Sequence, residues 1–248
     1  MHLSRWMANI IAAFIPNELR RRRFRTMLRF DTDWCPKFVR EYIKTPKPQL
    51  KTYVGNGCHN YVVVADKKYV FKFPIRNNKN QDPGPEQRIT QSLTAASPYR
   101  VPRMEIIKHD NGYIKKYDYL DGVTIASADK SRVQKNLHKI AEQIARFLFA
   151  LSTYDPADIS DLKPAGAHAR GFMYGWGHND IGGNFILNPE TMDIIGFIDW
   201  ETATFGDLMP DLYNATHYWA KLGFDTLGIM VLEQYTRLWL GQTHKLSD

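Results

Sequence analysis

The first half of the chain alternates apolar and polar positions with the two-residue period of β-strands. Leu50 to Pro74, "LKTYVGNGCHNYVVVADKKYVFKFP", predicts a strand, a glycine-containing turn, a second strand, a tight Ala-Asp-Lys-Lys turn and a third strand. Arg76 to Pro85 predicts a loop, and Glu86 to Ala96 a short helix. Two further strands are expected at Met104 to Lys108 and Tyr113 to Tyr117, joined by the turn "HDNG". This half is therefore predicted to be a mostly antiparallel sheet with one helix.

The pattern changes to a helical one after "YLDGVTI", Tyr119 to Ile125. Apolar residues recur at helical spacing from Val133 to Leu151 and predict one amphipathic helix of about six turns. "DIIGFIDW" predicts a strand ending near Asp199, and Leu208 to Leu240 is again helical in spacing. The sequence thus predicts an α+β protein with a small β-rich N-terminal lobe and a larger helical C-terminal lobe. The expected divisions are an extension at 1–45, a first lobe at 46–118 and a second at 119–248.

Composition narrows the class of protein. The chain has 248 residues, 44% of them apolar and 24% charged, as expected for a globular protein with a sizeable core. Cys35 and Cys58 have no metal-ligand spacing and build no disulfide framework, which favours a reducing compartment.

The positive charge is concentrated at the N-terminus. The chain carries a net charge of +7, and residues 1–30 hold seven arginines against the single acid Glu18. An apolar run of about ten residues precedes the arginines, too short to span a bilayer, which needs roughly twenty. Two interpretations stay open: a segment lying on an anionic membrane surface, and a solvated basic helix packed on its own domain. Nucleic-acid binding has less support, because no aromatic stacking platform accompanies the charge.

Three features of the predicted sheet are compatible with phosphate binding. Gly55 and Gly57 lie in a turn where backbone N–H groups can approach a phosphate, although an ordinary hairpin turn has the same pattern. Lys72 lies between Phe71 and Phe73 in a strand, so its ammonium must project to a cleft, an anion or solvent. Glu86 begins the helix that follows, where a carboxylate can orient a lysine or complement the helix dipole.

The second candidate cluster is acidic. "HNDIGGN" and "IDWE" bring Asp180, Asn184 and Asp199 close together if the two strand-like runs pair as a hairpin. Oxygen ligands of this kind suit Mg²⁺, which takes one or two carboxylates together with phosphate oxygens.

This order of motifs resembles the protein-kinase-like small-molecule kinases, which include aminoglycoside phosphotransferases, choline and ethanolamine kinases and LicA-type enzymes of bacterial surface glycans. The resemblance spans Lys51 to Trp219 and is most specific in "GHNDIGGNFILNPETMDIIGFIDWETATFGDLMPDL". "HND" in place of "HGD", together with "IDWE", is more similar to choline kinases than to antibiotic kinases. The resemblance implies a bilobal protein-kinase-like fold.

The resemblance also implies roles for the residues of the two clusters. Asp180 would be the catalytic base, which accepts the proton of the acceptor hydroxyl and orients it toward the γ-phosphate of ATP. Asp199 and Asn184 would bind Mg²⁺, and Lys72 with Glu86 would hold the α- and β-phosphates.

The remaining residues that the resemblance singles out are structural or bind the nucleotide. His178 would hold the catalytic loop and not act as a base. The connector at Tyr117, Asp118 and Tyr119 would meet adenine through its backbone. Asp207 and Asp211 would be structural acids of the helical lobe.

One departure from the family concerns the catalytic loop. Four residues normally separate the catalytic aspartate from the metal-binding asparagine, whereas "DIGGN" leaves three between Asp180 and Asn184. Gly182 and Gly183 are expected to accommodate the shorter loop through backbone angles that other residues avoid. Whether Asn184 reaches the metal decides between an active kinase and a weak or inactive member of the fold.

The sequence therefore predicts a cytoplasmic ATP- and Mg²⁺-dependent phosphotransferase acting on the hydroxyl of a small alcohol, amino alcohol or sugar. Peripheral contact with the inner face of the membrane, and a lipid-linked or surface-glycan acceptor, are expected if the N-terminal segment binds lipid. Aromatic residues of the helical lobe are candidates for an acceptor box or for the core: Trp200, Tyr213, Tyr218, Trp219, Tyr235 and Trp239. The alternatives are a catalytically inactive nucleotide-binding module and a basic membrane- or nucleic-acid-binding protein.

Overall fold

A computed structural model of the chain describes residues 32–54, 60–75, 82–109, 112–167 and 171–245, together with Met7, Ala13 and Asn17. The chain divides into two compact units. Unit 1 comprises Met1–Pro83 and Met104–Tyr119, and unit 2 comprises Gly84–Arg103 and Leu120–Asp248.

Unit 1 is built on an antiparallel sheet. Its strands are β1 (Leu50–Val54), β2 (Asn60–Ala65), β3 (Tyr69–Pro74), β4 (Met104–His109) and β5 (Gly112–Asp118), in the order β1-β2-β3-β5-β4. The predicted strands are confirmed with small changes of their ends. The predicted tight turn is confirmed as well: Asp66 and Lys67 adopt φ of 52° and 51°, and Lys68 N–H bonds the Ala65 carbonyl. Two positive φ values in sequence match the twist that joins antiparallel strands.

The two faces of this sheet differ because side chains alternate along each strand. Phe71 and Phe73 of β3 are fully buried on one face, where helix α1 (Trp34–Ile43) packs with its buried Cys35 and Val39. Lys72 lies on the opposite face. Helix α1 therefore belongs to the core of unit 1, although the sequence assigned its residues to an extension ending at residue 45.

A polar network adds to the packing of α1. The Tyr42 hydroxyl donates to the Glu105 carboxylate at 2.5 Å, and the Lys116 ammonium lies 2.7 Å from the same carboxylate. The hydrogen bond to Glu105, followed by burial, raises the pKa of Tyr42 to about 12, so the phenol remains a donor throughout the physiological range.

Unit 2 is mainly helical. Its helices are α2 (Gly84–Leu93), α3 (Lys130–Lys135), α4 (Leu137–Thr153), α5 (Met209–Leu222) and α6 (Leu227–Lys245), with a 3₁₀ helix at Ala157–Leu162. Its strands are β6 (Val123–Thr124), β7 (Tyr174–Gly177), β8 (Phe185–Leu187), β9 (Ile194–Phe197) and β10 (Thr204–Asp207). They form a three-stranded sheet in the order β6-β8-β9 and the pair β10-β7.

The predicted long helix is wrong at one residue. Asn136 leaves the helical conformation with φ −113° and ψ 13°, and its side chain donates to the Arg132 carbonyl, so α3 ends there and α4 begins at Leu137. A side chain that bonds the backbone competes with continued helix. The predicted helical region from Leu208 to Leu240 contains two helices, because Gly223, with φ 90°, ends α5 before α6 begins.

The core of unit 2 lies around α4. Ile140, Ile144, Phe147, Leu148 and Leu151 are fully buried on one face of this helix, as its apolar period predicted. Three of the aromatic residues considered for an acceptor box belong to the same core, since Trp200, Trp219 and Tyr235 are at most 1% exposed. The core interpretation is therefore confirmed for these three.

Helix α2 groups with unit 2 and not with the strands that flank it in sequence. The Arg88 guanidinium donates to both carboxylate oxygens of Asp161 at 2.8 and 2.6 Å, and Ser92 donates to Asp158 at 2.8 Å. The segment after α2 pairs with β9, because Arg100 bonds the backbone of Ile195 and Phe197. These contacts explain why the division differs from the predicted lobe at 46–118.

Several predicted features lie outside the described residues: most of the basic segment at 1–31, the glycines Gly55 and Gly57, and part of the loop at Arg76 to Pro85. Across the described ranges, no helix is both long enough and apolar enough to cross a membrane.

Candidate active site

A hairpin of unit 2 brings the two halves of the acidic cluster together. β8 and β9 are antiparallel, with Phe185 opposite Phe197 and Ile186 opposite Gly196. The pairing continues one step further, because Ile198 N–H bonds the Asn184 carbonyl at 2.8 Å. Asn184 and Asp199 therefore lie at the same end of the hairpin, as the sequence predicted.

The loop that carries Asp180 is fixed by Asp211, a buried carboxylate near the start of α5. Its Oδ2 accepts from the Asn179 N–H at 2.7 Å, and its Oδ1 accepts from the Ile181 N–H at 3.0 Å. The two donors flank Asp180 in the chain. Because Asp211 is only 1% exposed and accepts from both, it holds the backbone on either side of the Asp180 carboxylate.

The residue before Asp180 has an unusual backbone conformation. Asn179 adopts φ 62°, in the left-handed region that glycine and asparagine enter at least cost. Its side chain donates to the Thr202 carbonyl at 3.0 Å. The backbone at position 179 thus favours glycine or asparagine, and the chain has asparagine there.

His178 is fully buried and engages both ring nitrogens. Nε2 lies 2.8 Å from the Ile198 carbonyl, and Nδ1 lies 3.3 Å from the Asp180 N–H, which can only donate. The tautomer that satisfies both contacts carries its proton on Nε2. The imidazole consequently links the loop to the strand end before Asp199.

Asn184 contacts Asp180 directly. Its Nδ2 donates at 2.8 Å both to the main-chain oxygen and to Oδ2 of Asp180. The loop with three intervening residues therefore closes on itself, and the amide oxygen of Asn184 is the side-chain atom left with the chemistry to bind a cation.

The carboxylates of this region influence one another. Partial desolvation, followed by the negative charge of Asp199, raises the pKa of Asp180, while the hydrogen bond from Asn184 acts in the opposite direction. Burial raises the pKa of Asp211 to about 6, against the two backbone donors that lower it. Raised values near a cluster of acids are a physical indicator of a functional site.

Gly182 and Gly183 do not have the role expected from the sequence. Both have negative φ, so the shorter loop does not depend on backbone angles reserved for glycine. Their lack of a side chain serves close packing against α5. A methyl group at Gly182 would lie 3.2 Å from the Ala215 Cα, and one at Gly183 would lie 3.0 Å from the Tyr218 hydroxyl.

Helix α5 makes one further contact that the sequence did not reveal. Trp219 donates from its indole N–H to the Gly182 carbonyl at 2.6 Å. One face of α5 carries Asp211, Ala215, Tyr218 and Trp219. In the sequence, these residues are related only by their helical spacing of three or four positions.

The donor chemistry of the hairpin end fits a shared metal site. Among the described residues, no three His, Cys, Asp or Glu side chains form a group that could hold a metal unaided. Mg²⁺ in phosphotransfer sites takes one or two carboxylates and completes its shell with water and substrate phosphates. Asp199 and the Asn184 amide oxygen are ligands of that type, and Asp199, with φ 67°, adopts a left-handed conformation often found at functional sites.

The predicted nucleotide residues of unit 1 lie on its sheet. Lys72 is paired with Lys115 across β3 and β5, and its ammonium lies 5.3 Å from the centre of the Tyr117 ring. Asp118 ends β5, and the Tyr119 N–H bonds the Lys68 carbonyl at 2.8 Å, so this amide is engaged within the unit. Glu86 is 7% exposed in the first turn of α2, in unit 2. The pairing of Lys72 with Glu86 stays a prediction.

Comparison with known proteins supports the resemblance. Residues 159–246 match the model of the phosphotransferase enzyme family. No curated protein sequence matches the chain.

Solved structures extend the likeness to most of the chain. An aminoglycoside phosphotransferase in complex with GDP and kanamycin superposes with a TM-score of 0.62 at 16% identity, covering 82% of each chain. A macrolide 2′-phosphotransferase superposes with a TM-score of 0.56 at 17% identity, and the superposition covers 83% of this chain and 82% of the macrolide enzyme. The choline kinase LicA from Streptococcus pneumoniae superposes with a TM-score of 0.52 at 18% identity, and the superposition covers 82% of this chain and 80% of LicA.

These similarities confirm the protein-kinase-like fold and the resemblance to small-molecule kinases.

Proposed function

We propose that this chain transfers the γ-phosphate of ATP, in the presence of Mg²⁺, to the hydroxyl of a small alcohol, amino alcohol or sugar. The observation that carries the proposal is the junction of Asp180, Asn184 and Asp199 at one end of the β8–β9 hairpin, held by Asp211.

Asp180 is the catalytic base of this proposal. The acceptor hydroxyl donates its proton to the Asp180 carboxylate, its oxygen forms a bond to the γ-phosphorus, and the bond between that phosphorus and the bridging oxygen breaks to release ADP. The raised pKa of Asp180 makes its carboxylate a better proton acceptor than an ordinary aspartate. The hydrogen bond from Asn184 engages Oδ2 of Asp180, so Oδ1 is the oxygen that would accept the proton of the acceptor hydroxyl.

The metal and phosphate ligands follow from the same proposal. Asp199 and the amide oxygen of Asn184 would hold Mg²⁺, which neutralises the charge of the phosphates when bound. Lys72 would bind the α- and β-phosphates, with Glu86 orienting its ammonium. His178 links the loop to the end of β9 through both nitrogens and is assigned a structural role.

An inactive nucleotide-binding module is the second candidate, because the loop between Asp180 and Asn184 is one residue short. The contact of Asn184 with Asp180 favours activity, since the shorter loop still brings the amide beside the carboxylate.

The decisive experiment is an acceptor panel. The full chain is incubated with ATP and Mg²⁺ and with choline, ethanolamine, aminoglycosides or simple sugars, and phosphorylated acceptor is detected by mass spectrometry. Acceptor-dependent transfer supports the proposal. A thermal shift with ATP and Mg²⁺ but no transfer to any acceptor would favour the inactive module. The absence of both a thermal shift and transfer would favour the basic-protein alternative.

Cytoplasmic location and contact with an anionic membrane complete the proposal, together with a surface-glycan or lipid-headgroup acceptor. The cytoplasmic location rests on the two cysteines without a disulfide framework, and the membrane contact rests on the charge of residues 1–30, which carry +6 of the net +7. Each arginine near anionic headgroups contributes about 1 kcal/mol. Deletion of Met1 to Phe30 should abolish binding to phosphatidylserine vesicles, and unchanged binding would exclude the membrane role.

A further inference from the structure

The catalytic loop of unit 2 has one residue fewer than the family pattern, and the Tyr218 side chain of α5 packs against it. The Tyr218 ring covers Gly183: a methyl group added there would lie 3.0 Å from the phenol oxygen, 3.1 Å from Cζ and 3.3 Å from Cε1. The base of the same side chain lies against Gly182, where an added methyl would be 3.2 Å from the Tyr218 Cβ.

These separations are tighter than nine in ten real Cβ contacts, so the ring and the two glycines fit one another closely. The glycines have ordinary backbone angles. Their lack of side chains is therefore explained by the ring and by Ala215, and not by the turn itself.

Burial, followed by the negative charge of Asp180, raises the pKa of the Tyr218 phenol. Tyr218 is followed by Trp219, whose indole N–H bonds the Gly182 carbonyl at 2.6 Å. The two neighbours on α5 thus contact both glycines of the loop.

We propose that Tyr218 is a positioning residue whose ring fills the place left by the shortened loop and holds Asp180 and Asn184 in their mutual contact. The inference rests on the proposed phosphotransfer. Most of the support comes from the carbon atoms of the side chain, because Cζ, Cε1, Cβ and Cδ1 all lie within 3.4 Å of a methyl group added at one of the two glycines, whereas the hydroxyl contributes one atom.

The test uses the full chain and three substitutions. Tyr218→Ala removes the ring, Tyr218→Phe removes only the hydroxyl, and His217→Ala is the matched control, since His217 is the neighbour of Tyr218 on the same helix but is exposed. Tyr218→Ala should lower kcat by about tenfold to a hundredfold, as a misplaced catalytic group does, with little change in the KM for ATP. Tyr218→Phe should retain activity within about threefold, and His217→Ala should match the wild type.

A second perturbation approaches the contact from the loop. Gly183→Ala should lower kcat in the wild type by pushing against the ring, but should cost little more in the Tyr218→Ala background, where the ring is gone. Non-additivity of this kind identifies residues in direct contact. Fully additive losses would overturn the inference, and so would a Tyr218→Ala variant as active as the His217→Ala control.

Hydrogen exchange separates this inference from the proposed function. Hydrogen exchange of the segment 177–187, measured by mass spectrometry, should accelerate in Tyr218→Ala and not in His217→Ala, whether or not an acceptor is phosphorylated. Equal exchange in both variants would refute the positioning role. Failure of the acceptor panel with accelerated exchange would refute only the proposed phosphotransfer.

Discussion

Asn184 donates from one amide nitrogen to two oxygens of Asp180, at 2.8 Å to Oδ2 and at 2.8 Å to the main-chain carbonyl. The contact spans the whole of the shortened loop. It makes the amide a determinant of both the geometry and the protonation of the carboxylate.

Replacement of Asn184 by alanine should therefore change the pH dependence of the reaction. The hydrogen bond from Asn184 lowers the pKa of Asp180, so its loss should move the acidic limb of the kcat profile to higher pH. The Mg²⁺ concentration for half-maximal rate should rise as well, because an oxygen ligand is removed. A variant with an unshifted acidic limb would contradict the contact as a determinant of protonation.

Asn179 offers a test of the left-handed backbone at the catalytic loop. Asn179 has φ 62°, so Asn179→Ala should lower the free energy of unfolding by about 1 to 2 kcal/mol more than Asn179→Gly does. Asn179→Gly loses only the bond to the Thr202 carbonyl and should retain most activity. Urea unfolding of the two variants measures the difference, and equal stability would show that this conformation is not required.

Asp211 should make the stability depend on pH in a defined direction. Its pKa is raised to about 6 in the folded protein, so its favourable contribution is complete below about pH 4 and is lost as the pH rises through 6. Relative to Asp211→Asn, which does not titrate, the wild type should lose on the order of 2 to 3 kcal/mol between pH 4 and pH 7. Urea unfolding across this range measures the difference, and a constant offset between the two proteins would contradict the raised pKa.

Lys72 is predicted to act on the nucleotide and not on the acceptor. Lys72→Met should raise the KM for ATP and lower kcat, with an unchanged KM for the acceptor, because a phosphate contact is removed. Lys51→Met is the matched control, an exposed lysine on β1 of the same sheet. Initial-rate kinetics with each substrate varied would contradict the assignment if the two variants behaved alike.

Much of the fold could be predicted from local pattern. Alternation in β1 to β5 identified the strands, and the helical period around Ile144 identified the face of α4 that is buried. The break at Asn136 could not be predicted, because it depends on a side-chain bond to the Arg132 carbonyl and not on apolar spacing.

The site shows the same limit. The hairpin that joins Asn184 to Asp199 followed from two strand-like runs with a short connection. The reason for Gly182 and Gly183 did not, because the ring of Tyr218 is more than thirty residues away in sequence and only the fold brings it to the loop. Helix α1 was likewise assigned to an extension, since its pairing with Phe73 is a tertiary contact.

The most direct measurement is transfer of labelled γ-phosphate by the wild type and by Asp180→Asn, with Asp225→Asn as an exposed control in the same unit. A positioned base contributes about 10² to 10⁴ in rate, so kcat should fall by that factor in Asp180→Asn while the thermal shift with ATP and Mg²⁺ persists. Asp225→Asn should transfer phosphate at the rate of the wild type. Full transfer by Asp180→Asn would contradict the assignment of this residue as the base.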